Sequence, residues 1–433
     1  MTRDALTEAG DHRNELREVT FIAVTGSCGK TTTKDLTAAV LGSRLRGSKN
    51  EDTRNCGPDV AAAILRIRPD DDFFVQELGA WGPGTLDAGI HLVRPDIAVV
   101  TNLRNDHYSS LRGPRGAQAE KGKLVRSVPV TGAAVLNADD PLVRELASWT
   151  SARTISFGRS ADADLRACDV SARWPERLSF AVSYDGLSTR VQTQLLGEHL
   201  LGSALAALAT AIVFGMELEE ACDALARAQP SFRRMSCQTH PDGVTFIRDD
   251  WKAPLDSVTD ALAFMRSAVA ARKVAVLGTI SDFPGRSRRT YSLVAWKAMM
   301  AVDATIFVGE RAAALWGKHC GADLEAEAQL RRQILGALDD PAGVIAQTDV
   351  DRLGRLFVFE SVHDATAFAR EYLRTGDLVL LKSSGPADHL ERLILDRQEP
   401  ATCWEARCGR VYPCDMCDAL RGARAHMTAA APC

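Results

Sequence analysis

The sequence contains no apolar run of the roughly 18–20 residues that a membrane-spanning helix needs, which argues against a membrane protein. It also lacks an excess of charge of either sign, since 52 lysines and arginines stand against 56 aspartates and glutamates. The resulting net charge of −4 gives no electrostatic reason to expect nucleic acid or an anionic membrane as a partner. The N-terminus is polar and mixed in charge, unlike a signal peptide. A cytoplasmic protein is therefore expected.

The length of 433 residues is too great for one compact core and predicts two or three domains. Hydrophobic residues make up 46% of the chain and charged residues 25%, so most of it can bury enough apolar surface to fold. No internal repeat and no low-complexity linker interrupts the sequence.

The first strongly patterned segment is a short apolar strand, TFIAVT (20–25), followed by the loop GSCGKTTT and a helical pattern. This order is typical of the opening of a nucleotide-binding α/β unit. Further buried strands, each ending in polar residues, are predicted at 73–80, 96–103 and 133–140. Parallel strands with chemistry at their carboxyl ends describe a doubly wound sheet. We therefore predict an N-terminal segment (1–17) and an α/β P-loop central domain (18–226).

A second α/β alternation begins after PSFRRM, with strand patterns such as VTFIRDD, KVAVLGTI and DLVLLKSS separated by helical ones. It predicts an independent Rossmann-like C-terminal domain over 227–398. Beyond it, neither helical nor strand periodicity persists and cysteines dominate, which leaves a small Cys-rich extension at 399–433.

The loop TGSCGKTTT (25–33) is a variant Walker A motif, in which Val24 stands where the consensus has its first glycine. Backbone amides and Lys30 would surround the phosphates of ATP or GTP, and the Thr31 hydroxyl would meet Mg²⁺. A chance glycine-rich turn is the alternative, but GKT follows a buried strand and opens a helix, as this motif requires. The residues expected at the nucleotide are Gly26, Ser27, Cys28, Gly29, Lys30, Thr31 and Thr32.

Three further polar residues follow in order: Glu77 in VQELGA, His107 in TNLRNDHYSSL and Lys121 in AEKGKLV. Each alone has a plain structural explanation, as a strand-end charge, a loop histidine and a solvated helix lysine. Together, after a P-loop, they resemble the Mur ligase family, most closely its branch that adds D-Ala-D-Ala to the muramoyl tripeptide. The other matching pieces are NEDTRNCGPDVAAAILR, VLNADDP, RRM and RDDWKAPLDS, and the resemblance covers about residues 20–395.

The resemblance implies an ATP-dependent ligase that joins a carboxylate to an amine through an acyl phosphate. That chemistry brings two anions together, so divalent cations must neutralise them. Thr31 and Glu77 would hold one Mg²⁺, and His107 would help to hold a second. The family's lysine at the Lys121 position is carbamylated, which replaces a cation that would repel Mg²⁺ with a carboxylate that supports it. Lys123 is the rival position, but the family pattern favours Lys121.

The family also places an arginine and an aspartate of the C-terminal region against the phosphates. Arg234 matches the arginine, and Asp249 matches the aspartate, with Asp250 as the fallback. A surface ion pair between Arg234 and Asp249 is the structural alternative. Asn102 and His199 are further expected nucleotide contacts.

Two departures from the family pattern shape the functional expectation. Leu200 and Ser203 stand where the family has nucleotide-binding asparagines. About 20 residues precede the first strand, where peptidoglycan ligases carry a domain that binds the uridine nucleotide. We therefore expect a ligase of specialised metabolism that joins a small, peptide or carrier-linked acid to an amine. The alternatives are a D-Ala-D-Ala-adding or other peptidoglycan Mur ligase, a P-loop NTPase that is not a ligase, and an inactive partner protein.

The cysteines are unevenly distributed, with five of eleven in the last 31 residues. Since CxxC is the usual zinc half-site and four thiolates form a closed tetrahedral site, structural Zn²⁺ is expected in this extension. The expected ligands are Cys403, Cys408, Cys414 and Cys417, with His426 or Cys433 as substitutes for one of them. Iron–sulfur or redox use, or a disordered tail, are alternatives. Trp404 and Tyr412 promote order and argue against the last.

Overall fold

A computed structural model describes residues 3–105, 108–338, 349, 352–385, 388–406, 408–410, 412–417 and 420. The chain divides into two compact units. The first consists of Met1–Ala172 with Glu176–Ser231, and the second of Arg173–Pro175 with Phe232–Cys433. Among the described residues, no helix combines the length and the apolarity needed to cross a membrane.

The first unit is built on a nine-stranded sheet. Its strands are β1 (Thr20–Thr25), β2 (Gly47–Lys49), β3 (Phe73–Glu77), β4 (Ile97–Val100), β5 (Ala133–Asn137), β6 (Arg153–Gly158), β7 (Leu165–Ser171), β8 (Ser179–Tyr184) and β9 (Leu187–Gln192). They lie in the order β2-β3-β1-β4-β5-β6-β7-β8-β9. The strands from β2 to β7 pair in parallel, and β8 and β9 extend the sheet in antiparallel fashion.

The helices of this unit are α1 (Arg3–Glu15), α2 (Lys30–Leu41), α3 (Gly57–Ile64), α4 (Asp87–Val93), α5 (Tyr108–Leu111), α6 (Pro114–Ser127), α7 (Pro141–Glu145), α8 (Leu201–Val213) and α9 (Leu218–Arg227). Short 3₁₀ segments cover Leu146–Trp149 and Glu198–Leu200. Strands β3 and β4 are buried along their whole length, as apolar parallel strands covered on both faces should be. Residues of β3 and β4 belong to one hydrophobic core. The N-terminal helix α1 packs into this core through Ala9, and the adjoining Leu16 is buried there too.

The register of the neighbouring strands β3, β1 and β4 brings their carboxyl ends to one edge of the sheet. Val24 of β1 lies opposite Glu77 of β3, and Thr25 lies opposite Val100 of β4. The chain leaves β1 toward β2 and β3 on one side and returns to β4 and β5 on the other, so a topological switch point lies beside β1. Ligands of doubly wound sheets bind at such points.

The second unit contains a six-stranded sheet. Its strands are β10 (Ser236–Thr239), β11 (Thr245–Asp249), β12 (Arg272–Leu277), β13 (Ala304–Val308), β14 (Arg355–Phe359) and β15 (Asp377–Lys382), in the order β10-β11-β15-β12-β13-β14. All pair in parallel except β10, which is antiparallel to β11. The helices are α10 (Leu255–Ser267), α11 (Ser287–Ala301), α12 (Glu310–Trp316), α13 (Leu324–Leu335), α14 (Val362–Tyr372) and α15 (Arg392–Gln398), with a 3₁₀ turn at Cys414–Met416.

The predicted α/β architecture with two largely parallel sheets is confirmed. The strands predicted at 73–80, 96–103 and 133–140 are shorter in the structure and end at Glu77, Val100 and Asn137. Two of these strands end where the backbone or a side chain bonds to a neighbouring loop instead of a strand. After Glu77 the backbone amide of Gly79 turns to the carbonyl of Asn55, and after Val100 the Thr101 hydroxyl bonds to Cys28 of the P-loop. The polar strand ends thus become loops of the site.

Candidate active site

The P-loop connects β1 to α2 and depends on two glycines. Gly26 has a φ of +146°, and a Cβ there would lie 1.9 Å from the Thr101 hydroxyl. Gly29 has a φ of +81° and forms the N-cap of α2. Residues with a side chain rarely adopt such backbone conformations, so both positions require glycine. Because Gly29 has no side chain to cap the first-turn amides, the N-terminus of α2 is suited to an anion such as phosphate.

Lys30 is buried, and its ammonium donates hydrogen bonds to the carbonyls of Gly26 (2.8 Å) and Ser27 (3.2 Å). It is therefore held against the loop whose amides would surround the phosphates. Asn102 braces the same loop, because its side chain accepts from the Cys28 amide at 2.9 Å and donates to the Cys28 carbonyl at 3.1 Å. Thr32 is buried within α2.

A pair of oxygen ligands suited to Mg²⁺ lies beside the loop. The Thr31 hydroxyl donates to one Glu77 oxygen at 2.7 Å, and the Asn55 amide donates to the other at 2.8 Å. The backbone of Glu77 is fixed by a 2.7 Å bond from its amide to the side chain of Asn50. A hydroxyl and a carboxylate form the hard donor set that Mg²⁺ prefers, so these residues fit the ion.

Lys121 and Lys123 occupy different environments, although both lie on α6. Lys121 is fully buried, and its ammonium donates to the hydroxyl of Ser27 in the P-loop at 3.2 Å. Lys123 lies nearer the surface and pairs with Glu120 at 2.8 Å and Asp87 at 2.9 Å. The hydrogen bond to Glu120, followed by that to Asp87, raises the pKa of Lys123. Of the two, Lys121 is the one that reaches the P-loop, and its carbamylation stays a prediction.

The structure describes some, but not all, of the other residues predicted in the first unit. His107, expected at the second Mg²⁺, lies outside the described residues. His199 is half-buried in the 3₁₀ segment before α8. Leu200 is buried and apolar, so it cannot replace an asparagine in hydrogen bonding. Ser203 does reach the P-loop, because its hydroxyl donates to the Gly29 carbonyl at 3.3 Å.

Asp249 lies at the carboxyl end of β11, opposite Lys382 of the neighbouring β15. The Lys382 ammonium contacts the Asp249 carboxylate at 2.5 Å and the Lys252 carbonyl at 2.7 Å. Both side chains are almost entirely buried. Arg234 follows a buried Arg233 and is itself half-buried. The roles of Arg234 and Asp249 toward the nucleotide stay predictions.

The fallback residue Asp250 belongs to a buried charged network. Its carboxylate accepts hydrogen bonds from Arg233 at 2.9 Å and from Arg248 at 3.1 Å. Arg233 also donates to Glu391 at 3.2 Å, and Arg248 donates to both oxygens of Asp415, at 3.0 and 2.8 Å. Burial alone raises the pKa of Asp250, but the charges of Arg248 and Arg233 outweigh it and the net shift is downward. Asp250 is thus paired with two arginines and Asp249 with one lysine, and the preference for Asp249 at the phosphates stays a prediction.

The four cysteines predicted as zinc ligands are brought together. Cys403, Cys408, Cys414 and Cys417 line one cavity of about 260 Å³ with His389. The substitute ligands His426 and Cys433 lie outside the described residues.

Sequence reasoning did not single out four residues that the structure places at these sites. Asn55 orients Glu77, Lys382 neutralises Asp249, Glu391 joins the charged network and His389 lies among the thiols. The available signals were a motif for Asn55, which lies within NEDTRNCGPD, and a polar residue at the end of a buried strand for Lys382. No local pattern marks the other two.

Two family models match the chain. Residues 24–211 match the Mur ligase middle domain, and residues 233–385 match the Mur ligase, glutamate ligase domain. The Cys-rich segment lies beyond both matches, and no comparison supports zinc there.

Named relatives agree with these matches. UDP-N-acetylmuramoyl-tripeptide--D-alanyl-D-alanine ligase of Mycobacterium bovis is 30% identical over 402 residues, which cover 91% of this chain and 75% of the relative. The ligase of the same name from Bacillus subtilis is 26% identical over 378 residues, covering 87% of this chain and 75% of the relative.

Solved structures share the fold. The UDP-N-acetylmuramoylalanyl-D-glutamyl-2,6-diaminopimelate--D-alanyl-D-alanyl ligase of Acinetobacter baumannii superposes with a TM-score of 0.75 at 23% identity, covering 91% of this chain and 79% of that one. The MurF ligase of Thermotoga maritima in complex with ADP gives 0.73 at 17% identity, covering 92% and 85%. Two family models that together span most of the sequence, and a relative at 30% identity along three quarters of its length, lead to one conclusion: this chain belongs to the Mur ligase family of ATP-dependent, amide-bond-forming ligases.

Proposed function

We propose that this ligase joins D-alanyl-D-alanine to a UDP-linked muramoyl tripeptide. Its relatives are named for these two substrates. The observation that carries the proposal is the arrangement at the P-loop, where a buried Lys121 contacts Ser27 and Thr31 contacts Glu77. The relatives that support the choice of substrates match this chain at up to 30% identity.

In the proposed reaction a carboxylate oxygen of the tripeptide attacks the γ-phosphorus of ATP, the bond to the β,γ-bridging oxygen breaks and ADP leaves. The amine nitrogen of the dipeptide then attacks the acyl carbon, phosphate leaves with the electron pair of the C–O bond, and the nitrogen loses a proton. Phosphoryl transfer of this kind depends on positioning and on charge neutralisation.

The residues of this chain have distinct parts in that scheme. The P-loop amides and Lys30 bind and orient the phosphates, and Thr31 and Glu77 would hold Mg²⁺. When bound, the ion lowers the repulsion between the carboxylate and the phosphate. Carbamylated Lys121 would add a negative charge beside Ser27 of the P-loop.

The alternative functions require different residues. A plain NTPase needs neither Glu77 nor a buried Lys121 at the P-loop. An inactive partner protein would be consistent with Leu200, which cannot hydrogen-bond. A ligase of specialised metabolism that acts on a smaller or carrier-linked acid is the reading that the relatives support less, since none of those named here is named for such an acid.

The test is release of ADP by the full chain with Mg²⁺ and ATP, given the UDP-muramoyl tripeptide, D-Ala-D-Ala, both or neither. We expect ADP and the pentapeptide product, identified by mass spectrometry, when both substrates are present. With the tripeptide alone, added hydroxylamine should trap the acyl phosphate as a hydroxamate. Calorimetric titration should show micromolar binding of the tripeptide, roughly −8 kcal/mol.

Two outcomes would contradict the proposal. ADP formation with small acids but not with the UDP-muramoyl tripeptide would favour the specialised-metabolism reading. No ADP release with any acid, from a chain that still binds ATP, would favour the inactive partner.

A further inference from the structure

The described cysteines of the Cys-rich segment lie in the second unit around His389, a histidine that precedes the segment in the chain. His389 lies three residues before α15, and its two ring nitrogens face two different cysteines. The Nδ1 atom lies 3.4 Å from Cys414 Sγ, and the Nε2 atom lies 3.7 Å from Cys408 Sγ. His389 and Cys414 are both buried. An imidazole held between thiols recurs in mixed cysteine and histidine metal sites.

Cys414 belongs to a compact half-site. Cys414 and Cys417 flank a 3₁₀ turn closed by the bond from the Cys417 amide to the Cys414 carbonyl, at 3.1 Å. Both thiols are buried in one apolar cluster, against which Cys403 packs. Two cysteines separated by two residues can bind one metal ion from adjacent positions of a tight turn.

Glu391, the carboxylate grouped with His389 and Cys414, is already engaged. Among the described residues, His389, Glu391 and Cys414 form the one group whose ligand atoms all lie within 4.8 Å of one another. Cys403 and Cys417 line the same cavity but complete no such group with them, so their side chains would have to turn toward an ion. However, one of the Glu391 oxygens accepts from the Cys414 amide at 2.8 Å, and the other accepts from Arg233 at 3.2 Å. The carboxylate therefore positions the cysteine backbone, and the sulfur and imidazole atoms are left as the donor set.

Cations lie against the sulfur atoms. The Arg392 guanidinium donates to Cys414 Sγ at 3.3 Å and reaches Cys403 Sγ at 4.0 Å, and Arg410 contacts Cys417 Sγ. A thiol bound to a divalent ion is deprotonated outright, so an occupied site would carry negative charge that these cations offset. Three thiolates, one neutral imidazole and a divalent ion carry a net charge of −1, which one adjacent guanidinium neutralises.

We propose that Cys403, Cys414, Cys417 and His389 Nδ1 form a tetrahedral structural site for one Zn²⁺, and that Cys408 accepts a hydrogen bond from His389 Nε2–H. A zinc-bound histidine usually donates its other N–H to an acceptor that fixes the tautomer, and the Cys408 sulfur lies where that acceptor belongs. The two nitrogens of one imidazole cannot both bind the same ion. Nδ1, which faces Cys414, is therefore assigned to the metal, and Nε2, which faces Cys408, is assigned to the hydrogen bond. This assignment replaces Cys408 with His389 in the set expected from the sequence.

The site would fasten the Cys-rich segment to the charged network of the second unit. The Cys414 amide bonds to Glu391, and the next residue, Asp415, pairs with Arg248. Zinc would hold this turn in place from its other side. The inference concerns metal content and stability, and it stands independently of the substrates proposed above.

The test begins with the zinc content of the purified full chain, expressed with added zinc and measured by plasma mass spectrometry together with iron and acid-labile sulfide. We expect about one zinc per chain and no iron cluster. Cys414→Ser and His389→Ala should lose the metal. Cys408→Ser should keep it with affinity weakened about 10–100-fold, as for a residue that orients a ligand. Cys320→Ser, an exposed cysteine elsewhere in the second unit, is the matched control and should keep full zinc.

Measurements on the wild-type protein test the site even if the variants fail to fold. Removal of zinc with a chelator should lower the thermal unfolding midpoint, and re-addition should restore it. Replacement by Co²⁺ should give the absorption bands of a tetrahedral thiolate site. A wild-type chain without zinc, or with iron and sulfide in its place, would refute the site. Loss of zinc in Cys408→Ser but not in His389→Ala would refute the ligand assignment in favour of four thiolates.

Discussion

The P-loop edge of the first unit and the charged network of the second unit hold their polar groups in different ways. At the P-loop, Lys30 is held by the carbonyl of Gly26, four residues away, and Cys28 by the side chain of Asn102. In the network, Arg233 meets Glu391 158 residues later in the chain, and Arg248 meets Asp415 167 residues later. The P-loop rests mainly on bonds to backbone groups, including one from Ser203, which lies 174 residues from Gly29, whereas the network rests on contacts between buried charged side chains.

The difference matters energetically. Backbone hydrogen bonds of the P-loop are part of the α/β unit itself, so changing one side chain there should alter ligand binding more than folding. A buried ion pair is weak evidence of stabilisation, but removing one partner leaves an uncompensated buried charge. Substitutions in the two regions should therefore separate loss of activity from loss of stability.

The largest effect is expected at Asp250, which is fully buried between Arg233 and Arg248. Asp250→Asn keeps the shape but removes the charge that both arginines share, and it should lower the free energy of unfolding by about 3–5 kcal/mol. Urea unfolding followed by circular dichroism measures this. The control is Glu220→Gln, which breaks an exposed pair with Arg44 and should cost no more than about 1 kcal/mol. Equal effects of the two substitutions would contradict the view of the network as a buried, interdependent unit.

The same carboxylate predicts a dependence on pH. The pKa of Asp250 is lowered in the folded state, so its contribution to stability is complete above the ordinary aspartate pKa of about 3.9 and is lost as the pH falls through the folded value. Wild-type stability should therefore fall more steeply than that of Asp250→Asn as the pH is lowered below about 4.

The next largest effect is expected at Lys30, in the P-loop. Lys30→Ala should reduce ATP turnover by at least about 10²–10³-fold, the range for removing one donor that stabilises developing charge. The thermal unfolding midpoint should change less than in Asp250→Asn, because Lys30→Ala leaves no unpaired charge buried. Lys318→Ala removes an exposed lysine paired with Glu360 and serves as the control. Turnover at the wild-type rate in Lys30→Ala would show that the P-loop assignment is wrong.

A smaller effect is expected at Lys121, if it acts on the metal as a carbamate. Lys121→Ala should lower activity by about 10–100-fold, as for other residues that support a metal, and short carboxylic acids should restore part of it. Lys123→Ala, two residues along the same helix, should do neither, because that lysine pairs with Glu120 and Asp87. Activity in Lys121→Ala that no carboxylate raises would argue against the carbamate.

Much of the first site could be predicted from the sequence, because its signals are local. The P-loop glycines, Lys30 and Thr31 lie within seven residues, and the polar ends of β3 and β4 supply Glu77 and Asn102. Parallel pairing in register brings those ends to one edge of the sheet. The choice between Lys121 and Lys123 was stated from a family pattern, and the burial of Lys121 is consistent with it.

The sequence by itself determined the two α/β alternations, the phosphate-binding loop and the clustering of cysteines beyond the second domain. Each of these follows from periodicity, from composition or from residues only a few positions apart. The tertiary structure alone decided that Asp249 faces Lys382, that Asp250 lies between two arginines, and that His389 sits among the thiols. The contact between Asp249 and Lys382 joins residues 133 positions apart in the chain. No local pattern encodes these contacts, because they arise only when packed strands carry their ends into the same buried space.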